Sequence, residues 1–157
     1  MPIIQRYRGS RIELGDGLLL RSWYSTNPLA PNHPVVLATR SAEAILRVGH
    51  EVGITGTTIV AAERVEIGDR VFLGANVTIV DTDFHPLDPQ TRQIDVLAGR
   101  HAPVLIESDV FIGMNSLILK GVQIGTGSVI GAGSVVVRDV PPGVIAAGNP
   151  AQVVGSL

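Results

Sequence analysis

From Ile106 onward the chain places an aliphatic residue at every sixth position: Ile106, Ile112, Ile118, Ile124, Ile130 and Val136. Four residues after each stands a small or β-branched side chain, namely Val110, Ser116, Val122, Ser128, Ser134 and Val140. Glycine directly follows the aliphatic residue at Gly113, Gly125 and Gly131. A looser form of the beat runs through Val36, Ala42, Val48 and Ile54, takes up one extra residue before Ala61, and continues to Ile67, Leu73 and Ile79. A period of six matches neither a helix, at about 3.6, nor a half-buried strand, at about 2. It matches a coil of flat faces, each a short strand plus a corner, with the aliphatic residue pointing inward. The expected fold is all-β, a parallel β-helix with three faces per coil, in which Ile112 lies over Ile130 and Ile118 over Val136. Six consecutive matches in one register weigh against a sandwich with a chance rhythm. The run Ser41–Arg47 also has the composition of a short helix, but Ala42 and Leu46 keep the beat and predict a solenoid turn.

Three boundaries follow. Residues 1–35 carry no repeat; Ile12, Leu14, Leu18, Leu19 and Leu20 supply one or two strands, and the segment is expected to cap the open end of the stack. The repeats span 36–147, and 148–157 form a tail that turns back at Asn149-Pro150. Between the two repeat blocks the beat fails, in IVDTDFHPLDPQTR, residues 79–92. His85 sits at the break, followed by Pro86, with Asp81, Asp83 and Asp88 nearby. A long polar excursion over 85–105 leaves the stack here, and loops of that length in compact domains are usually functional or disordered.

Composition narrows the class. Hydrophobic residues make up 45% of the 157 but aromatics only 4%, so the core is aliphatic. Net charge is −2 with no Lys/Arg-rich run, which argues against a nucleic-acid partner. No stretch approaches a membrane span, and the N-terminus lacks the apolar core of a signal peptide. The absence of cysteine excludes disulfides, thiolate metal sites and a cysteine acyl-enzyme, and fits a reducing, cytoplasmic setting.

The repeats, the segment TIVDTDFHPLDPQTR, the entry into the second block at Val110–Gly113, and the run VVRDVPPGVIAAGNPAQVV together resemble the hexapeptide-repeat acyltransferases. The branch they resemble is the maltose/galactoside O-acetyltransferase type, with polysaccharide-modifying acetyltransferases beside it. The resemblance covers residues 36 to 154. It implies a left-handed β-helix, a homotrimer with active sites between subunits, acetyl-CoA as co-substrate lying along the coils, and no metal. It makes His85 the general base, and places Gly113, Gly131, Ala132 and Arg138 along the coenzyme, with the Met114 backbone at the thioester. Where galactoside-type members hold the sugar with Asn and Asp, this chain has Ile54 and Ala62; Gln152 stands where relatives carry a base.

The implied chemistry is acyl transfer to a sugar, nucleotide-sugar or glycan hydroxyl. It needs a base near neutral pKa, which histidine supplies, and N–H donors for the oxyanion, which glycine-rich corners supply. Without cysteine, direct transfer in a ternary complex is expected. Asp81 and Asp83 are equally readable as solvated turn residues or as groups that orient the imidazole or bind the acceptor. His33, His50 and His101 are taken as surface or turn residues. The rivals are a zinc-dependent γ-carbonic-anhydrase-like trimer, a non-catalytic assembly, and an N-acetyltransferase acting on an amino sugar or antibiotic. The first lacks the close histidine pair of that family.

Overall fold

The computed structural model describes residues 1–157, the side chain of Thr26 excepted. The chain winds into a left-handed parallel β-helix with three faces. Face 1 stacks Ile3–Gln5, Val36–Thr39, Thr58–Ala61, Thr78–Val80, Leu117–Ile118 and Val135–Val136. Face 2 stacks Arg11–Leu14, Ile45–Val48, Arg64–Ile67, Val104–Ile106 and Gln123–Ile124. Face 3 stacks Leu19–Arg21, Gly53–Thr55, Phe72–Leu73, Phe111–Ile112, Val129–Ile130 and Val144–Gly148. A last strand, Ala151–Ser156, folds back antiparallel after Asn149-Pro150 and closes the upper end.

Ile112 pairs with Ile130 and Ile118 with Val136, as the period requires. The inward columns are Leu37, Ile59, Ile79, Ile118 and Val136 on face 1, Val48, Ile67, Ile106 and Ile124 on face 2, and Ile54, Leu73, Ile112 and Ile130 on face 3. None is more than 3% exposed, and each contributes about 1.5–3 kcal/mol of burial. The small residues of the repeat fill the corners: Ser116, Ser128 and Ser134 are buried, their hydroxyls donating to the carbonyls of Gly131, Pro141 and Gly131. With no slack around these columns, Ile130→Val should lower the unfolding free energy by about 1 kcal/mol, read from the midpoint of a denaturant titration at unchanged slope.

Two early expectations are corrected. Val36 is only half-buried and Ala42 is exposed, while Leu37 and Ala44 point inward. The segment expected as a cap builds a full first coil, one strand on each face, in register with the second. Both errors have one cause, which is uneven corner length. On the way from face 1 to face 2 the chain runs from Leu37 to Val48, from Ile59 to Ile67 and from Ile79 to Ile106, but only from Ile118 to Ile124 in the strict coil. Extra residues therefore accumulate at one corner of the prism, here named the 1/2 corner. The run after Ser41 is a strand, Ile45–Val48, with Leu46 fully buried.

The outer surfaces of the faces differ. Face 2 carries a charged ladder in which Arg47 meets Glu13 at 2.8 Å and Glu66 at 3.3 Å, and Arg64 meets Glu66 at 2.6 Å. The Arg47 hydrogen bond holds the Glu13 carboxyl below its ordinary range. Face 3 instead aligns Leu19, Gly53, Phe72 and Phe111, and its three large side chains are 48%, 58% and 47% exposed. Among the described residues no helix is long and apolar enough to cross a membrane.

Candidate active site

The long excursion leaves and rejoins the stack as a two-stranded ribbon. Thr82 pairs antiparallel with His101, the Asp83 amide donates to the Arg100 carbonyl at 2.8 Å, and the Ala102 amide donates to the Asp81 carbonyl at 2.9 Å. The ribbon is pinned from below by Phe84, which packs over the outward side chains Ala38, Val60 and Val80 of face 1. Phe84 adopts a positive φ of 61°, and the His85 amide bonds back to the Asp83 carbonyl at 2.7 Å, so the chain reverses sharply just before the histidine.

His85 is exposed at the tip of that reversal. Its Nδ1 lies 2.7 Å from the carbonyl of Val96 on the returning limb. A carbonyl only accepts, so Nδ1 carries the proton of the neutral ring and Nε2 is left with its lone pair. Nε2 has no partner among the described residues. An oriented imidazole with a free, solvent-facing Nε2 is the arrangement a general base requires. The limb that supplies Val96 is ordered by its own bonds. Asp88 caps the short helix α1, Pro89–Ile94, by accepting from the Thr91 amide at 2.7 Å, which lowers its pKa. Arg92 ties the helix back to the carbonyls of Pro86 and Leu87 at 2.9 and 3.3 Å.

The two aspartates take different places. Asp81 is fully buried and its carboxylate accepts from the amides of Ala62, Glu63 and Arg64, each at 2.7 Å. Burial raises its pKa, against the pull of these three donors. With all its contacts going to backbone, Asp81 neither orients the imidazole nor faces an acceptor; it locks the 1/2 corner of the coil below. Asp83 pairs through Oδ1 with Lys120 Nζ at 2.7 Å, while its Oδ2 is buried and unpartnered among the described residues. It touches His85 through its backbone carbonyl only.

Gly113, Met114, Gly131 and Ala132 come together at a different corner, between faces 3 and 1. A Cβ on Gly113 would lie 2.5 Å from the Ala132 amide, so only glycine lets the coils stack here. One coil below, a Cβ on Gly74 would lie 2.7 Å from the Met114 amide. That amide has no partner among the described residues. The corner is thus a strip of bare backbone with a free N–H, suited to a narrow flexible chain and an oxyanion. Arg138 is exposed without an ionic partner among the described residues, but it follows the last face 1 strand and stands at the 1/2 corner, away from the strip. A single chain therefore sets His85 and the glycine strip at opposite ends of face 1.

Beside the ribbon the stacked insertions of the 1/2 corner enclose a cleft of about 550 Å³. Arg40, Glu43, Ala62, Glu63, Phe84, Gly99 and His101 line it; His85 does not. His101, expected to be an ordinary turn residue, has Nδ1 at 2.7 Å from Glu63 Oε2.

Residues 103–138 match the family described as bacterial transferase hexapeptide (six repeats), and residues 64–80 match the hexapeptide repeat of succinyl-transferase. The galactoside O-acetyltransferase of Lactococcus lactis is 43% identical over 61% of this chain and 45% of its own. A 2,3,4,5-tetrahydropyridine-2,6-dicarboxylate N-acetyltransferase of Clostridium perfringens is 60% identical over 35% of this chain and 23% of its own. Among solved structures, a hexapeptide-repeat acetyltransferase from Vibrio cholerae superposes with a TM-score of 0.69 at 27% identity, covering 92% of this chain and 73% of that one. The same Vibrio enzyme complexed with acetyl-coenzyme A superposes at 0.64 and 25% identity, covering 96% and 72%. The chain carries hexapeptide repeats of the kind these transferase models describe and shares the fold of a hexapeptide-repeat acetyltransferase. It spans less than half the length of the curated relatives it matches.

Against these relatives two comparisons made from sequence change. Ile54 is a core residue stacked between Leu20 and Leu73, so it does not occupy a sugar-facing position. Ala62 does line the cleft, and the carboxylate there comes from the next residue, Glu63. Gln152 is exposed on the final strand opposite Ala147. Three contributions escaped the sequence: the Val96 carbonyl, the Asp83–Lys120 pair and the Glu63–His101 pair. Each joins residues from separate coils or from the two limbs of the excursion, and no local pattern marks them.

Proposed function

We propose that the chain is an acetyl-CoA-dependent O-acetyltransferase that acylates a hydroxyl of a sugar or glycan, with His85 as general base and direct transfer in a ternary complex. The observation that carries this reading is the His85 ring, fixed through Nδ1 with Nε2 free. As the acceptor hydroxyl attacks the thioester carbonyl, Nε2 takes its proton and later returns it to the departing sulfur. The open Met114 amide is the group to bind the oxyanion, and Gly113, Gly131 and Ala132 offer a side-chain-free path for the pantetheine arm, with Arg138 for the nucleotide end of a neighbouring site. The acetyl-coenzyme A complex of the Vibrio relative and the O-acetyl specificity named for the Lactococcus relative support the choice. An N-acetyl reading is supported by the Clostridium relative, which matches a shorter stretch.

The same reading makes the enzyme a homotrimer. The base and the thioester strip lie at different corners of one chain, so a threefold ring in which one corner meets the other completes three sites. The exposed Phe72–Phe111 column gives face 3 an apolar surface for a neighbour, whereas the charged ladder of face 2 suits water. Mixing two inactive variants tests this. His85→Ala removes the base, and Ala132→Trp blocks the strip from an exposed position. Co-expressed, the two should recover about a quarter of wild-type acetyl-CoA consumption with a sugar acceptor, the fraction of shared sites that draw an intact corner from each subunit. No recovery from a properly assembled mixture would place the whole site within one chain and sink the reading.

A further inference from the structure

We infer that Lys120 is a positioning residue for His85: through Asp83 it ties the turn that carries the base to the coil that carries the free Met114 amide. The inference rests on the acyltransferase reading for its kinetic consequences, while its structural half can be read without turnover.

The turn before His85 does not hold its shape by itself. Phe84, at φ 61°, lies in the left-handed region that large side chains rarely enter. The His85 amide reaches back only two residues, to the Asp83 carbonyl at 2.7 Å. A conformation of this kind persists where its surroundings fix it. The Phe84 amide donates to Thr82 Oγ1 at 3.0 Å, and the Phe84 side chain packs over Ala38, Val60 and Val80. The Asp83 amide donates to the Arg100 carbonyl at 2.8 Å. These contacts bind the turn to its own ribbon and to face 1. The ion pair from Asp83 Oδ1 to Lys120 Nζ, 2.7 Å long, binds it to the coil above.

The pair is shielded. The Lys120 and Asp83 side chains are 30% and 19% exposed, the least of any ion pair among the described residues. Asp83 Oδ2 is buried and unpartnered among the described residues, so Lys120 supplies the compensation for the whole carboxylate. A pair in open water is held loosely and contributes little. Removing one end of a shielded pair strands the other charge. Without Lys120, Asp83 relieves that cost by turning towards water, and it takes with it the carbonyl that holds the His85 amide.

The place of Lys120 in the coil gives the tie its use. Met114 stands three residues before the face 1 strand Leu117–Ile118, and Lys120 two residues after it. One short strand thus joins the proposed oxyanion donor to the cation that fixes the base. His85 itself follows Thr78–Val80, the strand one coil lower. In a threefold ring every copy of a strand lies at one height along the axis. Lys120 therefore sets the base of one chain level with the Met114 amide of its neighbour.

Lys120→Met keeps the reach of the side chain and removes its charge. It should lower kcat about 10- to 100-fold, the cost of a reacting group held about 1 Å out of place. KM for acetyl-CoA and for the acceptor should stay within about twofold of wild type, since neither substrate touches Lys120. Lys120→Arg should bring kcat back to within about threefold, because the pair uses a single contact and not a fork. Added to His85→Ala, Lys120→Met should cost nothing more, because its effect passes through the ring. Asp83→Asn with Lys120→Met strands no charge, so its thermal midpoint should recover while kcat stays low; a merely structural pair would recover both. Nitrogen-15 NMR of the His85 ring, at a pH where it is neutral, should show the Nδ1–H tautomer alone in the wild type and the Nε2–H tautomer as well in Lys120→Met. Unchanged kcat in a folded Lys120→Met, recovery of kcat in the double variant, a further loss on top of His85→Ala, or an unchanged ring would each overturn the inference. If the ring responds as stated and the wild type transfers no acetyl group, the acyltransferase reading fails and Lys120 keeps its structural role.

Discussion

Replacing His85 by alanine should lower acetyl transfer by about 10²–10⁴-fold, the usual contribution of one positioned base. The loss should fall on kcat, because among the described residues the ring's only hydrogen bond is to the Val96 carbonyl of its own loop and the side chain is exposed. For the same reason the thermal midpoint and the affinity for free coenzyme A should stay near wild type. Steady-state kinetics beside a calorimetric titration check both halves. Activity within a few-fold of wild type would remove His85 from the chemistry. Histidine-to-glutamine at the same site is the sharper control: it restores a polar group of similar reach but no base, so it should be as slow as alanine.

Asp81→Ala should have the largest effect on the fold of any single polar change in the chain, about 3 kcal/mol in denaturant unfolding. The substitution strips a charged acceptor from three amides at once, those of Ala62, Glu63 and Arg64. Asp81→Asn retains the shape with one acceptor oxygen and should lie between the two. A stability loss below about 1 kcal/mol would mean that water replaces the carboxylate at those amides.

This pair of residues shows where the sequence could be read and where it could not. The coil after Ile106 was legible because every corner there is equally short, so one period describes inward columns, corner serines and glycines together. His85 was legible as the residue at the point where that period breaks. Val36 and Ala42 were misplaced because the insertions before Val48 and Ile67 shift the beat by amounts no local pattern reveals. The first coil was overlooked because Ile4, Ile12 and Leu20 fall eight apart, outside the strict repeat. Asp81 stood open between two roles because its partners lie a full coil earlier in the chain. His101 looked idle because its partner, Glu63, comes from another insertion. Contacts within one coil leave a periodic mark; contacts between stacked insertions leave none.

The contact between the Asp81 carbonyl and the Ala102 amide, 2.9 Å long, closes the excursion at its base. Above it the chain leaves the stack's register and stays tied to the coils through Asp83, Phe84 and His101. Lengthening such a loop is cheap, about 0.6 kcal/mol for each doubling. The stretch from Pro86 to Arg100 thus behaves as an exchangeable cassette on a spindle that ends at His85. Any replacement must keep one thing, a carbonyl opposite His85 Nδ1 where Val96 now stands. Provided that it does, the proposed base is inherited with His85, and the wall of the cleft built by Leu97, Ala98 and Gly99 can be rewritten within the cassette alone.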